Sequence, residues 1–427
     1  MVVGTIIGAS IFVQPSLVSG AVPSVPGMLL VWAAAGVLTL IGALVTAELA
    51  SAFPGTGGVY VFLRESYSPA VGFLWCWAMF WSMHTGIIAA IATVCARYVG
   101  FFVPLGDTGV RVVAIGAILV LSAVNYVGVR YGTVVQTTFT IIKVAAIGLI
   151  VLVGLVAPHP VPTMAAISVP PFVPSLRALV AASVAGLFAF GGWHMVTYTG
   201  DETVDARRTI PRALLIGTVA VTASYIAVNA AYLAVLSPAA VASSNRVAAD
   251  FADRVMGSGG AAAMSALVVL STVGAMTGII LTGPRVYLAA ARDRLLFGWI
   301  GAIHPRYGTP HHAIALQALW ASILVATGTY RALFTRVVYT EWIFFGLMTA
   351  GVFVLRRRAG YAPSYRAWGY PVLPLVFIVC TAVIVFNQLV SDPIESATGL
   401  LIVLAGLPVY YLRTARPNSR TVTHGDH

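Results

Sequence analysis

Apolar runs of about twenty residues, separated by short stretches of proline, glycine and arginine, repeat along the whole chain. At roughly 20 apolar residues per crossing, the pattern predicts twelve membrane spans. They fall at 1–21, 27–52, 68–99, 110–128, 133–157, 177–200, 212–236, 261–291, 312–329, 335–355, 370–390 and 396–413. Turn chemistry separates them, as at Val22-Pro23-Ser24-Val25-Pro26, Pro158-His159-Pro160, Pro170-Pro171 and Tyr370-Pro371. Two spans are interrupted near their middles. The first holds Gly8-Ala9-Ser10, and the sixth holds Phe188-Ala189-Phe190-Gly191-Gly192-Trp193-His194. Glycine costs a helix interior roughly 1 kcal/mol relative to alanine, so both are places where a helix can open. An opened backbone at membrane depth is tolerated where it lines a cavity or holds a ligand. Half-helix N-termini suit an anion and free carbonyls suit a cation, so a broken pair suits a zwitterion such as an amino acid. Close packing of small residues would explain either patch alone; it gives no reason for the five-span offset between them.

Composition agrees with the pattern. The chain has 427 residues, 59% hydrophobic and 9% charged, with a mean hydropathy of +0.94, where a soluble domain carries about 25% charged residues. The formal charge of +11 would suggest nucleic acid in a soluble protein. Topology accounts for it instead. Arg97, Arg111, Arg177, Arg246, Arg254, Arg331 and Arg336 fall on one side of the spans, the other 16 arginines on the opposite side, and Lys143 within a span. The positive-inside rule then puts both termini in the cytoplasm and removes any need for nucleic acid. Cys76, Cys95 and Cys380 all lie in apolar runs and read as packed free thiols. No signal peptide is expected before the first span. That span has only about two turns before Gly8, and we expect the true start to lie upstream of Met1.

Several motifs together resemble a known family. Gly4-Thr5-Ile6-Ile7-Gly8, with Ile11-Phe12, is similar to the first-helix signature of the amino acid–polyamine–organocation superfamily, in its L-type amino acid transporter branch. Ala47-Glu48-Leu49 and Phe53-Pro54-Gly55-Thr56-Gly57-Gly58-Val59-Tyr60 resemble the end of helix 2 and its loop. Gly186 to Trp193, followed by Glu202, Arg208 and Ile210-Pro211-Arg212-Ala213, resembles helix 6 and its exit. The resemblance covers essentially the whole chain. It implies an all-α polytopic membrane protein of twelve helices with a leucine-transporter-type 5+5 inverted repeat and discontinuous helices 1 and 6. The repeats would be residues 1–157 and 177–355, followed by two accessory helices in 370–413 and a cytoplasmic tail, 414–427.

By that resemblance the substrate is held by Ile6, Ile7, Gly8, Ala9, Ser10 and Ile11 of helix 1. Phe188, Ala189, Phe190, Gly191, Gly192, Trp193 and His194 of helix 6 complete the site. The carboxylate would lie on the amides of Gly8-Ala9-Ser10, and the ammonium on carbonyls of Ile6, Ile7, Phe188 and Ala189. Phe188 would cap the site on its outer side. Ser10 and His194 depart from the usual glycine and asparagine. His194 reads equally well as a pH-dependent contact or as a packed core histidine.

Ionisable groups inside spans are functional candidates. Lys143 matches the L-type lysine that faces helix 1 in place of sodium, which implies sodium-independent transport. Glu341 is a candidate polar pocket residue, where it would pair with a cationic side chain or take a coupling proton; the other reading, slightly preferred, is a place at the membrane interface. Glu48 reads as structural, and Asp201-Glu202 beside Arg207-Arg208 as a loop salt-bridge cluster. Gly55-Thr56-Gly57-Gly58 lacks the lysine and the strand of a phosphate loop. His304, His311 and His312 lack the companions of a metal site. No metal, cofactor or catalytic cluster is expected, so the chain is not read as an enzyme.

The expectation is a transporter of L-amino acids, neutral by preference, in the cytoplasmic membrane. It would work by alternating access as an exchanger or proton symporter; the alternative is a cationic amino acid or polyamine exchanger. A membrane sensor would need an appended soluble domain, and none is seen. The family's animal branch links a heavy chain by a disulfide from the loop between helices 3 and 4. Here Phe101 to Thr108 has no cysteine, so no covalent partner is expected.

Overall fold

The computed structural model describes residues 1–8, 10–156, 174–257, 259–328 and 330–414. The regular structure among the described residues is helical, with no strand. In chain order the helices are α1 (Val2–Ile6), α2 (Ser10–Ala21), α3 (Val25–Ala52), α4 (Val59–Ser66), α5 (Pro69–Ala78), α6 (His84–Val99), α7 (Asp107–Val127), α8 (Val129–Val156) and α9 (Leu176–Ala189). After these come α10 (Ala206–Val235), α11 (Pro238–Ser243), α12 (Val247–Met256), α13 (Gly260–Arg292), α14 (His311–Thr327), α15 (Tyr330–Leu355), α16 (Val372–Ser391), α17 (Pro393–Leu404) and α18 (Gly406–Thr414). A π-helical turn, Met79–Met83, joins α5 to α6 as one span, and a 3₁₀ segment, Trp193–Glu202, follows α9.

Nine of these helical stretches among the described residues are long and apolar enough to cross a bilayer. The broken first span and the shorter helices His311–Thr327 and Tyr339–Leu355 fill the other predicted positions. The hydropathy pattern did not foresee α4, α11 and α12, which are short helices between spans. The chain is thus a multi-pass membrane protein.

Helix ends follow their local chemistry. Ser24, Ser68, Ser175 and Ser237 each accept a hydrogen bond from an N–H in the first turn of α3, α5, α9 and α11, satisfying donors that have no intrahelical acceptor. The broken helices sit at the centre. α2 packs on α9, α1 on the 3₁₀ segment, α3 along α10, and α13 against both α6 and α8. The end that holds most arginines is tied by Glu48. Its carboxylate is sealed from solvent and receives Arg356 Nε at 2.9 Å and Nη2 at 2.5 Å, together with the Ala367 N–H at 2.7 Å. Tyr361 adds a hydroxyl donor at 3.3 Å. This joins α3 to the end of α15 and the segment after it, which is the structural part expected of Glu48.

Candidate functional site

α1 ends because Ile7 leaves the helical region (φ −72°, ψ 98°), and helix resumes only at Ser10. A break leaves last-turn carbonyls without intrahelical donors. The ammonium of Lys143, reaching in from α8, donates to Gly4 O at 2.9 Å and to Ile7 O at 2.5 Å. The Lys143 amine therefore closes the carbonyl end of the half-helix. Without it, two sealed carbonyls would lose their donor, at about 1–3 kcal/mol each. The Ser271 hydroxyl of α13 donates to Gly8 O at 3.2 Å.

α9 stops at Ala189, and Gly192 turns the chain into the 3₁₀ segment with φ +92°, a left-handed conformation. A Cβ there would also sit 2.9 Å from Thr5 O, so glycine is required twice over. The two breaks touch. The Thr5 hydroxyl lies 3.1 Å from Gly192 O, and the Tyr225 hydroxyl of α10 lies 3.2 Å from Ile6 O and 3.0 Å from Ala189 O. Its one proton can serve only one of these carbonyls at a time. Trp32 and Phe190 hold the Tyr225 ring, with centroids 5.7 and 5.0 Å away.

Between the breaks lies a cavity of about 30 Å³, lined by Thr5, Ile6, Gly8, Ser10, Leu187, Phe188, Gly191, Gly192 and Trp193. Ile87, Ile91, Met195, Ile279, Glu341, Trp342 and Phe345 complete its wall. That is room for about two waters, so the centre is closed. A second cavity of about 820 Å³ opens at the end opposite the arginine-rich one. Its lining includes Val13, Val94, Val184 and Ala185, with Arg97, Arg177 and Arg246 around it. Val13 follows Ser10 by three residues, Val94 follows Ile91, and Ala185 precedes Phe188. The vestibule and the central cavity are therefore about one helical turn apart on three helices.

The expected site residues divide by position. Ile6, Gly8, Ser10, Phe188, Gly191, Gly192 and Trp193 line the cavity. Ile11, Ala189 and Phe190 are buried behind it, and Ala9 lies outside the described residues. Of the carbonyls expected to meet an ammonium, Ile7 O is held by Lys143, while Ile6 O and Ala189 O face Tyr225. Phe188 O accepts the Gly191 N–H at 3.0 Å. His194 is fully buried among Trp75, Trp193, Tyr198 and Phe345, with centroids 4.8–6.0 Å away, and is not in the cavity wall. Of the two readings of Glu341, its position is that of a pocket residue and not of an interface one. It is 5% exposed, lines the cavity, and its Oε1 has no hydrogen-bond partner among the described residues. Tyr225, Ser271 and Thr5 were missed as site polar groups. Tyr225 and Ser271 are mid-span polar residues, which is the signal that would have raised them.

The arginine-rich end is closed by charge. Asp293 at the end of α13 accepts the Tyr60 hydroxyl at 2.6 Å and a second bond from Arg64, both donors belonging to α4. Burial and then the Asp293 carboxylate push the Tyr60 hydroxyl above the usual phenol range, so it remains a donor. Asp201 pairs with Arg292 at 3.4 Å, and Glu202 grips Arg285 through two bonds of 2.9 Å. The acids of this cluster thus pair with α13, and not with the adjacent Arg207 and Arg208 as their spacing suggested. The glycine-rich loop packs on the 3₁₀ segment. A Cβ on Gly200 would lie 2.0 Å from Pro54 O, which explains the small residues without any phosphate. Among the described residues no His, Cys, Asp and Glu group could hold a metal. Cys76 and Cys95 are buried free thiols, and Cys380 is partly buried.

Comparison with known proteins agrees with this architecture. The family described as "Amino acid permease" matches residues 1–410. The "Serine/threonine exchanger SteT" of Bacillus subtilis (strain 168) is 32% identical, covering 96% of this chain and 94% of that protein. The mouse "Large neutral amino acids transporter small subunit 2" is 32% identical over 96% of this chain and 79% of its own length. The mouse "Asc-type amino acid transporter 1" is 31% identical over the same shares. These relatives are transporters and exchangers, not enzymes. A family match across nearly all of the chain, on a helical bundle built around two broken spans, means that this protein belongs to the amino acid permease family.

Proposed function

We propose that the protein carries neutral L-amino acids across the cytoplasmic membrane by alternating access, without sodium, as an exchanger or a proton symporter. The observation that carries this reading is the meeting of two broken spans at one cavity, with the Lys143 ammonium on the α1 carbonyls. The first N–H groups of α2 offer a positive end for a carboxylate. Lys143 already serves the negative end of α1, so the substrate ammonium goes to the C-terminal end of α9, where it displaces Tyr225 from Ala189 O. A lysine fixed at that spot supplies a charge that a sodium ion would otherwise bring, which supports sodium independence. Phe188 lies between cavity and vestibule and acts as the outer cap.

In this reading the arginine-rich end and both termini are cytoplasmic, and the vestibule is extracellular. Residues 1–157 and 177–355 are the two inverted repeats that rock about the breaks. The helices in 370–413 are accessory, and the tail 414–427 is cytoplasmic; residues 415–427 lie outside the described ones. Three arginines around the vestibule weigh against a cationic substrate. The segment between α6 and α7 has no cysteine, so no disulfide-linked heavy chain is expected, and migration of the native protein should be the same with and without reductant. The testing experiment is uptake of labelled neutral amino acids into proteoliposomes in sodium-free buffer. Uptake only into preloaded vesicles means exchange; uptake driven by an inward proton gradient means symport. Uptake of arginine or putrescine alone would replace the proposal with the cationic reading.

A further inference from the structure

Glu341 is the feature of the cavity that amino acid transport by itself does not use. Its carboxylate belongs to the wall, it is 5% exposed, and Oε1 finds no donor among the described residues. A buried acceptor left without a donor is costly and rare in a folded protein. Among the described residues no side chain donates to it. Lys143 is committed to Gly4 O and Ile7 O, and Tyr225 to the carbonyls of the breaks. The Tyr198 hydroxyl interacts electrostatically with Glu341, but among the described residues no hydrogen bond joins the two. Around the carboxylate the wall is apolar, with Trp342 and Phe345 from the same helix and Ile87, Ile91 and Ile279 from α6 and α13. The missing donor has to arrive with the occupant.

Resting on the transport reading above, we propose that Glu341 is the specificity-determining residue of this cavity: it accepts a hydrogen bond from the side-chain hydroxyl of a small neutral amino acid, serine or threonine in class. Two observations choose a hydroxyl over an ammonium. The way in from the vestibule passes Arg97, Arg177 and Arg246, with Asp392 the one acid in its lining among the described residues, and Asp392 already accepts from Gln388 at 2.9 Å. A cationic side chain would cross a positive field to reach Glu341. The cavity is also small, about 30 Å³ when closed, and long lysine or arginine side chains would have to displace Trp342 and Phe345. A neutral donor of one or two heavy atoms meets both conditions. A site that hydrogen-bonds a substrate hydroxyl also discriminates strongly against the analogue lacking it, because the site's polar group is then left unpaired.

The test is competition in proteoliposomes preloaded with alanine, following labelled alanine against unlabelled serine, threonine, alanine, 2-aminobutyrate and lysine. The protein would be wild type, Glu341→Gln or Glu341→Leu, each checked for a monodisperse elution profile. The expected wild-type result is that serine and threonine compete about 10- to 100-fold better than alanine and 2-aminobutyrate. Glu341→Gln keeps part of that preference through its amide oxygen, and in Glu341→Leu serine and threonine compete no better than alanine for the uptake that remains. Equal competition by serine and alanine in the wild type overturns the proposal even if Glu341→Leu does not fold. So does a preference that survives in Glu341→Leu, or lysine competing best in the wild type. In each of these cases alanine uptake persists and the transport reading stands; absence of uptake for every neutral amino acid defeats that reading itself.

Discussion

The two sides of the central cavity are closed by different means. Toward the vestibule the barrier is apolar and thin. Ser10 to Val13, Ile91 to Val94 and Phe188 to Ala185 each span about one turn, about 4.5 Å, and of these six residues all but Ser10 are apolar. Toward the arginine-rich end the wall is thick and polar. On α13 ten residues separate Ile279 in the cavity from Ala289 in the cleft beyond, about 15 Å. On the 3₁₀ segment six separate Met195 from Asp201, about 12 Å. Asp293, Asp201 and Glu202 then bolt α4, the glycine-rich loop and the 3₁₀ segment to α13 and to each other. Opening the first barrier means moving a few apolar side chains. Opening the second means breaking several charged hydrogen bonds together. The structure is therefore a closed state nearer to opening on the vestibule side.

That contrast can be broken most severely at the base of the polar side. Glu48→Gln leaves Arg356 without its buried partner and should cost about 3–5 kcal/mol, read as a large fall in the thermal unfolding midpoint in detergent. A midpoint like the wild type's would mean that the pair holds nothing together. Asp293→Asn weakens a partly exposed set, in which Tyr60 and Arg64 lose an ionised acceptor. About 1 kcal/mol, or about fivefold in population, should move toward the state open at the arginine-rich end. Faster maleimide labelling of Ala289→Cys would report it, and an unchanged rate would remove Asp293 from the bolt. On the thin side, Phe188→Ala should leave folding intact and lower transport several-fold, because the outer cap no longer closes; unchanged uptake removes Phe188 from the mechanism. Smallest of all, Arg97→Gln should alter the apparent KM less than twofold, and only at low salt, since exposed charges are screened within about 10 Å at 0.1 M. An effect that persists at high salt would mean direct contact.

What could be read in the sequence followed from local chemistry. Glycine within an apolar run marks a break wherever it lies, so the interruptions at Gly8 and Gly191 were legible, as was the mid-span Lys143. The ends of the spans were legible to a few residues because serine, proline and glycine act on the turn they occupy. What escaped depends on neighbours distant in the chain. Tyr225 is one of 17 tyrosines, and only the packing of α10 beside both breaks puts its hydroxyl between Ile6 O and Ala189 O. Asp201 and Glu202 looked paired with arginines a few residues on; their partners come from α13, more than 80 residues away. Glu341 could be named as a candidate pocket residue but not separated from an interface one, because hydropathy locates a span along the chain but not the depth and facing of one residue in it. His194 shows the same limit, since its enclosure by four aromatic rings is a tertiary fact.

The account rests on the cavity between the breaks being the amino acid site and on its being reached through the thin side. The most direct measurement is labelling of Ser10→Cys, in a background with Cys76, Cys95 and Cys380 replaced by serine, in vesicles of known orientation. A membrane-impermeant maleimide would be applied from the vestibule side, with and without a saturating neutral amino acid. The account predicts slow labelling that the amino acid blocks and that potassium or sodium salts leave unchanged. Labelling that proceeds equally with the amino acid present, in protein that still transports it, would put the site elsewhere.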